Sequence, residues 1–283
     1  MRKVALVLSI CLIAASAVLF VGRGLNLGID FLGGVLLEVK TSGPADMSGM
    51  RNKIGTLDLG DVSLQEVGSN DTVLIRVQRQ EGGDDAQKIA VDRIKEVLAG
   101  SIAEYRRTEF VGPTVGAELK EAAMWAVLAA VGAILLYIWF RFEWQFGVGA
   151  IVALTHDVLS TIGLFALLQL EFNVATVAAI LTIAGYSIND TVVVFDRIRE
   201  YVGLYGDKKD DKDVMNDALN STLSRTINTS LSTFVVLLTI FLLGGDNIKG
   251  FVFALMIGVV VGTYSSIFIA TPSVLDLSKK LKA

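Results

Sequence analysis

Six apolar runs punctuate this chain, at Val4–Val21, Ala122–Phe140, Phe146–Leu168, Val174–Phe195, Ile227–Leu243 and Phe251–Thr271. Each is close to the ~20 residues a helix needs to cross a bilayer. One run comes first, a long polar insert follows, and five runs with short connections complete the chain. Hydrocarbon offers the backbone no hydrogen-bond partners, so runs of this length read as helices. The expected fold class is a polytopic α-helical membrane protein of about six transmembrane helices, with one extracytoplasmic α+β ferredoxin-like domain between the first and second. Its parts are a first transmembrane helix at 1–23, the α+β domain at 24–121, and a five-helix bundle at 122–273. A cytoplasmic loop at 196–224 and a cytoplasmic tail at 274–283 complete it.

Met1-Arg2-Lys3, the apolar stretch and Ala15-Ser16-Ala17 imitate an export signal with its cleavage site. The run continues through Val18-Leu19-Phe20-Val21, however, and its length suits a retained span. The same start suggests a separate gene product rather than a piece of a fused chain.

Within the insert, Val35–Lys40 reads as a strand and Met47–Leu57 as a weakly periodic helix. Val62–Val67 and Thr72–Val77 form a hairpin about Gly68-Ser69-Asn70-Asp71. Asp84-Asp85 can cap a helix whose apolar positions Ile89, Ile94, Val97 and Leu98 share a face, and Gly100 stops it. A last strand, Tyr105–Val111, ends at Gly112-Pro113. The order β-α-β-β-α-β is ferredoxin-like, a fold that hosts many functions and identifies none.

Basic residues set the orientation. Arg2, Lys3, Arg141, Arg197, Arg199, Lys208, Lys209, Lys212, Lys279, Lys280 and Lys282 fall on one side of the runs, against Lys249 on the other. The richer side is expected in the cytoplasm, with both termini, and the insert outside. The mixed-sign run Gly206–Asp213 reads as a solvated loop leading into a helix.

Composition narrows the function. The 283 residues are 53% hydrophobic and 19% charged, and the mean hydropathy is +0.59, so lipid is the main solvent. The net charge of -4, with no basic stripe interleaved by aromatics, argues against nucleic acid. One cysteine, Cys11, allows no internal disulfide and no thiolate cluster. One histidine and no HExxH pattern leave a catalytic metal site without support, and no cofactor is expected. Gly33-Gly34 and Gly244-Gly245 lack the lysine and hydroxyl of a phosphate loop. Any work done is then powered by an ion gradient rather than by ATP, and no enzyme activity is expected.

Polar residues inside the runs carry the chemistry, because each ionisable group there costs a few kcal/mol to insert. The fourth span holds Gly185-Tyr186-Ser187-Ile188-Asn189-Asp190-Thr191, and the fifth opens with Ser221–Ser230, including Arg225. Asp190 lies about 8 Å before the span's exit at 1.5 Å per residue, and Arg225 can reach toward it along the helix. Thr222, Arg225, Thr226, Thr229 and Thr233 follow three- and four-residue spacings, a stripe expected to face protein or water because lipid would leave its hydroxyls unpaired. Removal from water favours the protonated carboxyl and a close arginine the ionised one. A fixed Asp190–Arg225 pair holding helices together competes with a carboxylate that takes up and releases a proton as the helices repack. His156-Asp157, near the middle of the third span, reads either as an interhelical hydrogen-bonding pair or as a proton relay.

Three local motifs together with this order of features carry a family resemblance. They are Leu27-Gly28-Ile29-Asp30-Phe31-Leu32-Gly33-Gly34, Phe110-Val111-Gly112-Pro113, and Gly185–Glu200 followed by Ser224-Arg225-Thr226. The chain resembles the SecF family, the smaller half of the SecD/SecF accessory complex of protein export within the RND superfamily, over essentially its whole length. Leu32 and Val35 depart from the small or hydroxyl residues frequent there, which puts a polar role of that loop in doubt. The resemblance implies a six-span half that pairs pseudo-symmetrically with SecD in the cytoplasmic (inner) membrane, beside the SecYEG channel. It implies use of the proton-motive force to help draw translocating preproteins across. It implicates Asp190 and Arg225 in proton conduction and gives Gly28, Asp30, Gly33 and Gly34 as the family's motif loop, while Asn189, Thr226, His156 and Asp157 are read as candidate relay or interhelical polar residues. Two other readings stand beside it: half of an RND-type small-molecule exporter, disfavoured by the single small insert, and a passive membrane scaffold.

Overall fold

The computed structural model describes residues 2–60 and 62–277, apart from the side chains of residues 84, 113, 246 and 247. Lys279, Lys280 and Lys282 of the expected tail lie outside the described residues. The chain opens with helix α1 (Arg2–Arg23). The insert follows as β1 (Gly34–Thr41), α2 (Met47–Gly55), β2 (Val62–Glu66), β3 (Thr72–Val77), α3 (Gly83–Leu98) and β4 (Ile102–Val111). Then come α4 (Pro113–Arg141), α5 (Trp144–Leu168), α6 (Val174–Tyr205), α7 (Asp211–Leu243) and α8 (Asp246–Ser265). A π-helical turn (Ser266–Ala270) joins α8 to α9 (Thr271–Leu277). Six of these stretches are long and apolar enough to cross a membrane, the sixth running Ile248–Leu277.

Two compact units emerge. Leu27–Met124 forms one, and the residues before and after it form the other. In the inserted unit the antiparallel sheet has the order β2-β3-β1-β4, the arrangement that the β-α-β-β-α-β sequence demands. Pairing Val35 with Val77, Leu37 with Ile75 and Val39 with Val73 sends all six side chains to one face. Met50 and Ile54 of α2 and Ala90, Val91, Ile94 and Leu98 of α3 bury against it. Each large apolar side chain so buried contributes about 1.5–3 kcal/mol.

The face of α3 differs from the expected one. Ile89 is 55% exposed, whereas Gln87, Ala90, Val91, Ile94 and Leu98 are buried. At 100° per residue Ile89 falls about 140° around the helix from Ile94, too far for both to face the sheet. Gln87 is tolerated inside because its Oε1 accepts from Gln80 N at 2.8 Å. The helix begins at Gly83, so Asp84 and Asp85 lie within its first turn rather than ahead of it.

In the membrane unit the helices outrun their apolar segments. α4 begins nine residues before Ala122, α6 continues ten residues past Phe195, and α7 starts at Asp211, so only Gly206–Asp210 of the expected 196–224 loop is not helical. Asp211 and Asp213 stand in the first turn of α7, where the helix dipole favours acids, and Lys209 Nζ reaches Asp217 at 2.6 Å.

Small residues set the close approaches. A Cβ at Gly163 of α5 would fall on Ser16 of α1, one at Gly258 of α8 on Ile183 of α6, and one at Gly262 within 3.1 Å of Ser187. At one end of the bundle Phe195 meets Phe142 and Phe146 edge to face at 5.8 and 5.0 Å, with the latter two rings tilted against each other at 5.8 Å, beside an Arg141–Asp196 pair at 2.5 Å. The π turn sits just ahead of Pro272, which has no N–H to give the preceding turn, and Thr271 Oγ1 donates to Ser266 O at 3.1 Å.

Candidate functional site

Polar residues of α5, α6, α7 and α8 converge in the interior of the membrane unit. α5 buries Gly149, Ala153, His156, Asp157, Ser160 and Thr161 on one side, a face of small and polar groups that lets its neighbours close in. His156 and Asp157 are both completely buried. Asp157 Oδ2 accepts from Ser187 Oγ of α6 at 2.5 Å and from Ser265 Oγ of α8 at 2.7 Å. Its Oδ1 lies 3.1 Å from His156 Nδ1. One carboxyl group therefore ties three spans together. One turn along α6, Thr191 Oγ1 meets Ser266 Oγ at 3.0 Å.

Asp190 occupies a second junction, formed by α6, α7 and α8. It is 4% exposed, and Ser230 Oγ donates to its Oδ2 over a long 3.5 Å. Ser230 in turn accepts from Thr263 Oγ1 at 2.6 Å. Arg225 is exposed on the chain's own surface, and it makes no ion pair with Asp190 among the described residues. The fixed pair is thus not the geometry found among the described residues.

The polar stripe of α7 lies on the boundary between two faces. Thr222, Thr226 and Ser230 point inward, while Arg225 and Thr229 are exposed and Thr233 is half-buried. Its inward part faces protein as expected, while outward hydroxyls are satisfied within the helix itself. Thr229 Oγ1 donates back to Arg225 O and Thr233 Oγ1 to Thr229 O, each at 2.9 Å, the i−4 bond that serine and threonine make within a helix. Thr226 Oγ1 is the opposite case, buried without a hydrogen-bond partner. Asn189 is exposed beside Asp190.

The motif loop belongs to the inserted unit. Gly28 precedes a helical turn at Ile29–Leu32, with Asp30 partly buried within it. Gly33 and Gly34 then adopt φ of 72° and 121°, which side chains rarely tolerate. A Cβ at Gly34 would run into Val77 O, so the pair lets β1 start against the end of β3.

The serines escaped the sequence reading. Ser187 and Ser230 stand inside the polar stretches singled out above but without a role of their own, and Thr263, Ser265 and Ser266 look like ordinary small residues of an apolar span. The adjacent pair Ser265-Ser266 deep in the sixth run was the available signal, because two hydroxyls together in lipid thickness need acceptors.

Comparison with known proteins gives consistent matches. The family model described as protein export membrane protein SecD/SecF, C-terminal, matches residues 91–280, and the SecD/SecF GG motif matches residues 18–45. The chain is 48% identical to the protein translocase subunit SecF of Magnetococcus marinus over 279 residues, covering 97% of this chain and 89% of the relative. It is 43% identical to the protein translocase subunit SecF of Vibrio alginolyticus over 277 residues, covering 96% and 87%. The crystal structure of SecDF from Thermus thermophilus, titled a translocon-associated membrane protein, matches with a TM-score of 0.89 and 34% identity over 99% of this chain. A crystal structure of SecDF in a super-membrane-facing form matches with a TM-score of 0.70 over 98%. The chain spans 38% of the length of each of these solved chains.

Proposed function

Because the chain belongs to the SecD/SecF family of protein-export membrane proteins, we propose that it is a SecF-type subunit of a protein translocase, working with SecD beside the SecYEG channel. In this reading it helps draw preproteins across the cytoplasmic membrane, powered by the proton-motive force, and performs no covalent chemistry. Both termini face the cytoplasm and residues 24–121 face outward, in keeping with the excess of arginine and lysine in the loops on the terminal side.

The observation that carries the reading is the state of Asp190, 4% exposed where three spans meet and held by a single 3.5 Å hydroxyl bond. A buried carboxylate without an ion pair is stable only if it is protonated or finds a counter-charge. Arg225, five residues before Ser230 on the outer flank of α7, can supply that charge when the helices shift. Protonation then alternates with pairing, and moving one charge through the membrane potential gains about 2.3 kcal/mol per 100 mV, enough to bias a two-state bundle.

The test uses the full chain reconstituted with its SecD-type partner and the channel in vesicles with an imposed pH gradient. Asp190→Asn should abolish gradient-dependent completion of preprotein transit and lower proton flux, with the complex still assembled. Unchanged flux and completion would leave a passive scaffold. Crosslinks from the inserted domain to a small molecule rather than a polypeptide would favour an exporter.

A further inference from the structure

We infer that the π turn of the sixth span is a rotation device: it migrates one turn toward Gly262, carrying the Ser265 and Ser266 hydroxyls off their partners on α5 and α6 while both ends of the span stay seated. The inference concerns the helix itself and goes beyond the proton-driven reading. Ser266–Ala270 is the one π-helical turn among the described residues. Such turns are rare, occur as single bulges within α-helices and gather at functional sites. Here Ser265, Ser266 and Ala270 are completely buried, so the bulge is packed among the other spans rather than turned to lipid.

The turn lets the span grip α5 twice. Ahead of it, Ser265 Oγ bonds Asp157 Oδ2 at 2.7 Å. At its end the backbone of Ala270 lies so close to Gly149 of α5 that a Cβ on the glycine would come within 2.9 Å of Ala270 O. In an α-helix Ser265 and Ala270, five residues apart, would point about 140° away from each other. A π turn bonds each residue to its fifth neighbour, so the same five residues close nearly one full turn and both ends face α5. Ser266, at the start of the turn, meets Thr191 Oγ1 of α6 at 3.0 Å.

Three features make the bulge movable. Both hydroxyls keep an acceptor when they leave their partners, because Ser265 Oγ also donates to Gly262 O at 3.0 Å and Ser266 Oγ to the same oxygen at 2.8 Å. Neither then pays the ~1–3 kcal/mol of an orphaned polar group. Pro272 has no N–H, so the α-helical bond to Phe268 O is missing whichever turn forms, and the helix is least tied where the bulge starts. Gly262 would stand in the migrated turn, where its missing Cβ spares Ser187. Beyond the moving stretch, Gly258 packed on Ile183 and Arg2 paired with Asp276 hold the two ends. As the bulge passes, each residue between shifts by one position, about 100° and 1.5 Å. The ties to Asp157 and Thr191 release in one step.

Deleting Ile267 takes one residue out of the bulge. The span becomes continuous α-helix with both grips on α5 in place and has no bulge to move. Cys11 is the chain's one cysteine, so in a Cys11→Ser background a trifluoromethyl tag on Phe268→Cys reports the turn by fluorine NMR in the complete complex in nanodiscs. Two signals exchanging on the microsecond-to-millisecond scale of helix register shifts are expected, and the deletion should leave one. In vesicles the deletion should assemble normally and slow gradient-driven completion of preprotein transit about tenfold or more. Thr191→Cys with Ser266→Cys gives an independent lock: oxidation to the disulfide should reproduce the loss, and reductant should restore transit. A single sharp signal from the tagged turn overturns the proposal, as does full transit in the deleted or the bridged chain. Exchange at the tag in a complex that shows no gradient-driven transit leaves the rotation device standing and removes the translocase reading.

Discussion

Replacing Gly258 by alanine tests whether the approach of α6 and α8 builds the polar interior. An ideal Cβ at Gly258 meets Cγ1, Cγ2 and Cδ1 of Ile183. Ile183 is 2% exposed, so the whole branched side chain would have to move. Overpacking of this kind costs about 1–3 kcal/mol, a factor of roughly 5 to 150 in the folding equilibrium. Ile183→Ala removes all three clashing atoms; alone it leaves a cavity and costs about 2–5 kcal/mol. Together the two changes should lose at least about 1 kcal/mol less than the sum of the singles, because the new methyl fills part of the space the isoleucine leaves. The assay is equilibrium unfolding of the full chain in mixed micelles for all four members of the cycle. Additivity within about 0.5 kcal/mol would refute the contact and the helix spacing drawn from it.

Three further outcomes can be checked. Gly34→Ala should destabilise the inserted domain by about 1–3 kcal/mol through its φ of 121° and the collision with Val77 O, seen as faster hydrogen exchange in β1 and β3; Gly55→Ala, with open space around it, should not. Thr226→Val removes a buried hydroxyl that has no partner, so unfolding should show unchanged or higher stability, by up to about 1 kcal/mol, and a clear loss would mean that the hydroxyl is used. The Ser69 hydroxyl is the main cause holding the Asp71 carboxyl below its ordinary value. That ionised group therefore stabilises the hairpin above the unfolded carboxylate range and loses its effect as pH falls through the lowered value. Ser69→Ala should raise the NMR-measured titration of Asp71 toward normal, and an unmoved midpoint would discard the assigned cause.

The spans were legible because hydropathy reports the solvent around a segment, and lipid accepts nothing but long apolar stretches. It says little about where the backbone stops being helical. α7 accordingly begins sixteen residues before its apolar run at Ile227, since Asp211–Thr226 are helix-compatible residues in water. The inserted domain was legible from alternation and turn chemistry, yet the face of α3 was misassigned at Ile89, which is as apolar as Ile94. Asp190, His156 and Asp157 could be found because charges within lipid thickness are rare. Their partners could not, because a serine in a span looks the same whether it bonds its own helix, as Ser273 does to Ile269 O at 2.7 Å, or reaches a carboxylate on another, as Ser265 does.

By itself the sequence determined the number of crossings, the strand and helix order of the insert, and the few residues expensive enough in lipid to require a task. Those follow from local quantities: apolar length, period and charge. Which side chains meet was decided only by tertiary structure. Asp157 collects hydroxyls 30 and 108 residues away, and Arg225 stands apart from Asp190 despite apparent reach. Helix rotation and the glycine-set spacing of the spans fix those meetings, and neither is written in any single run.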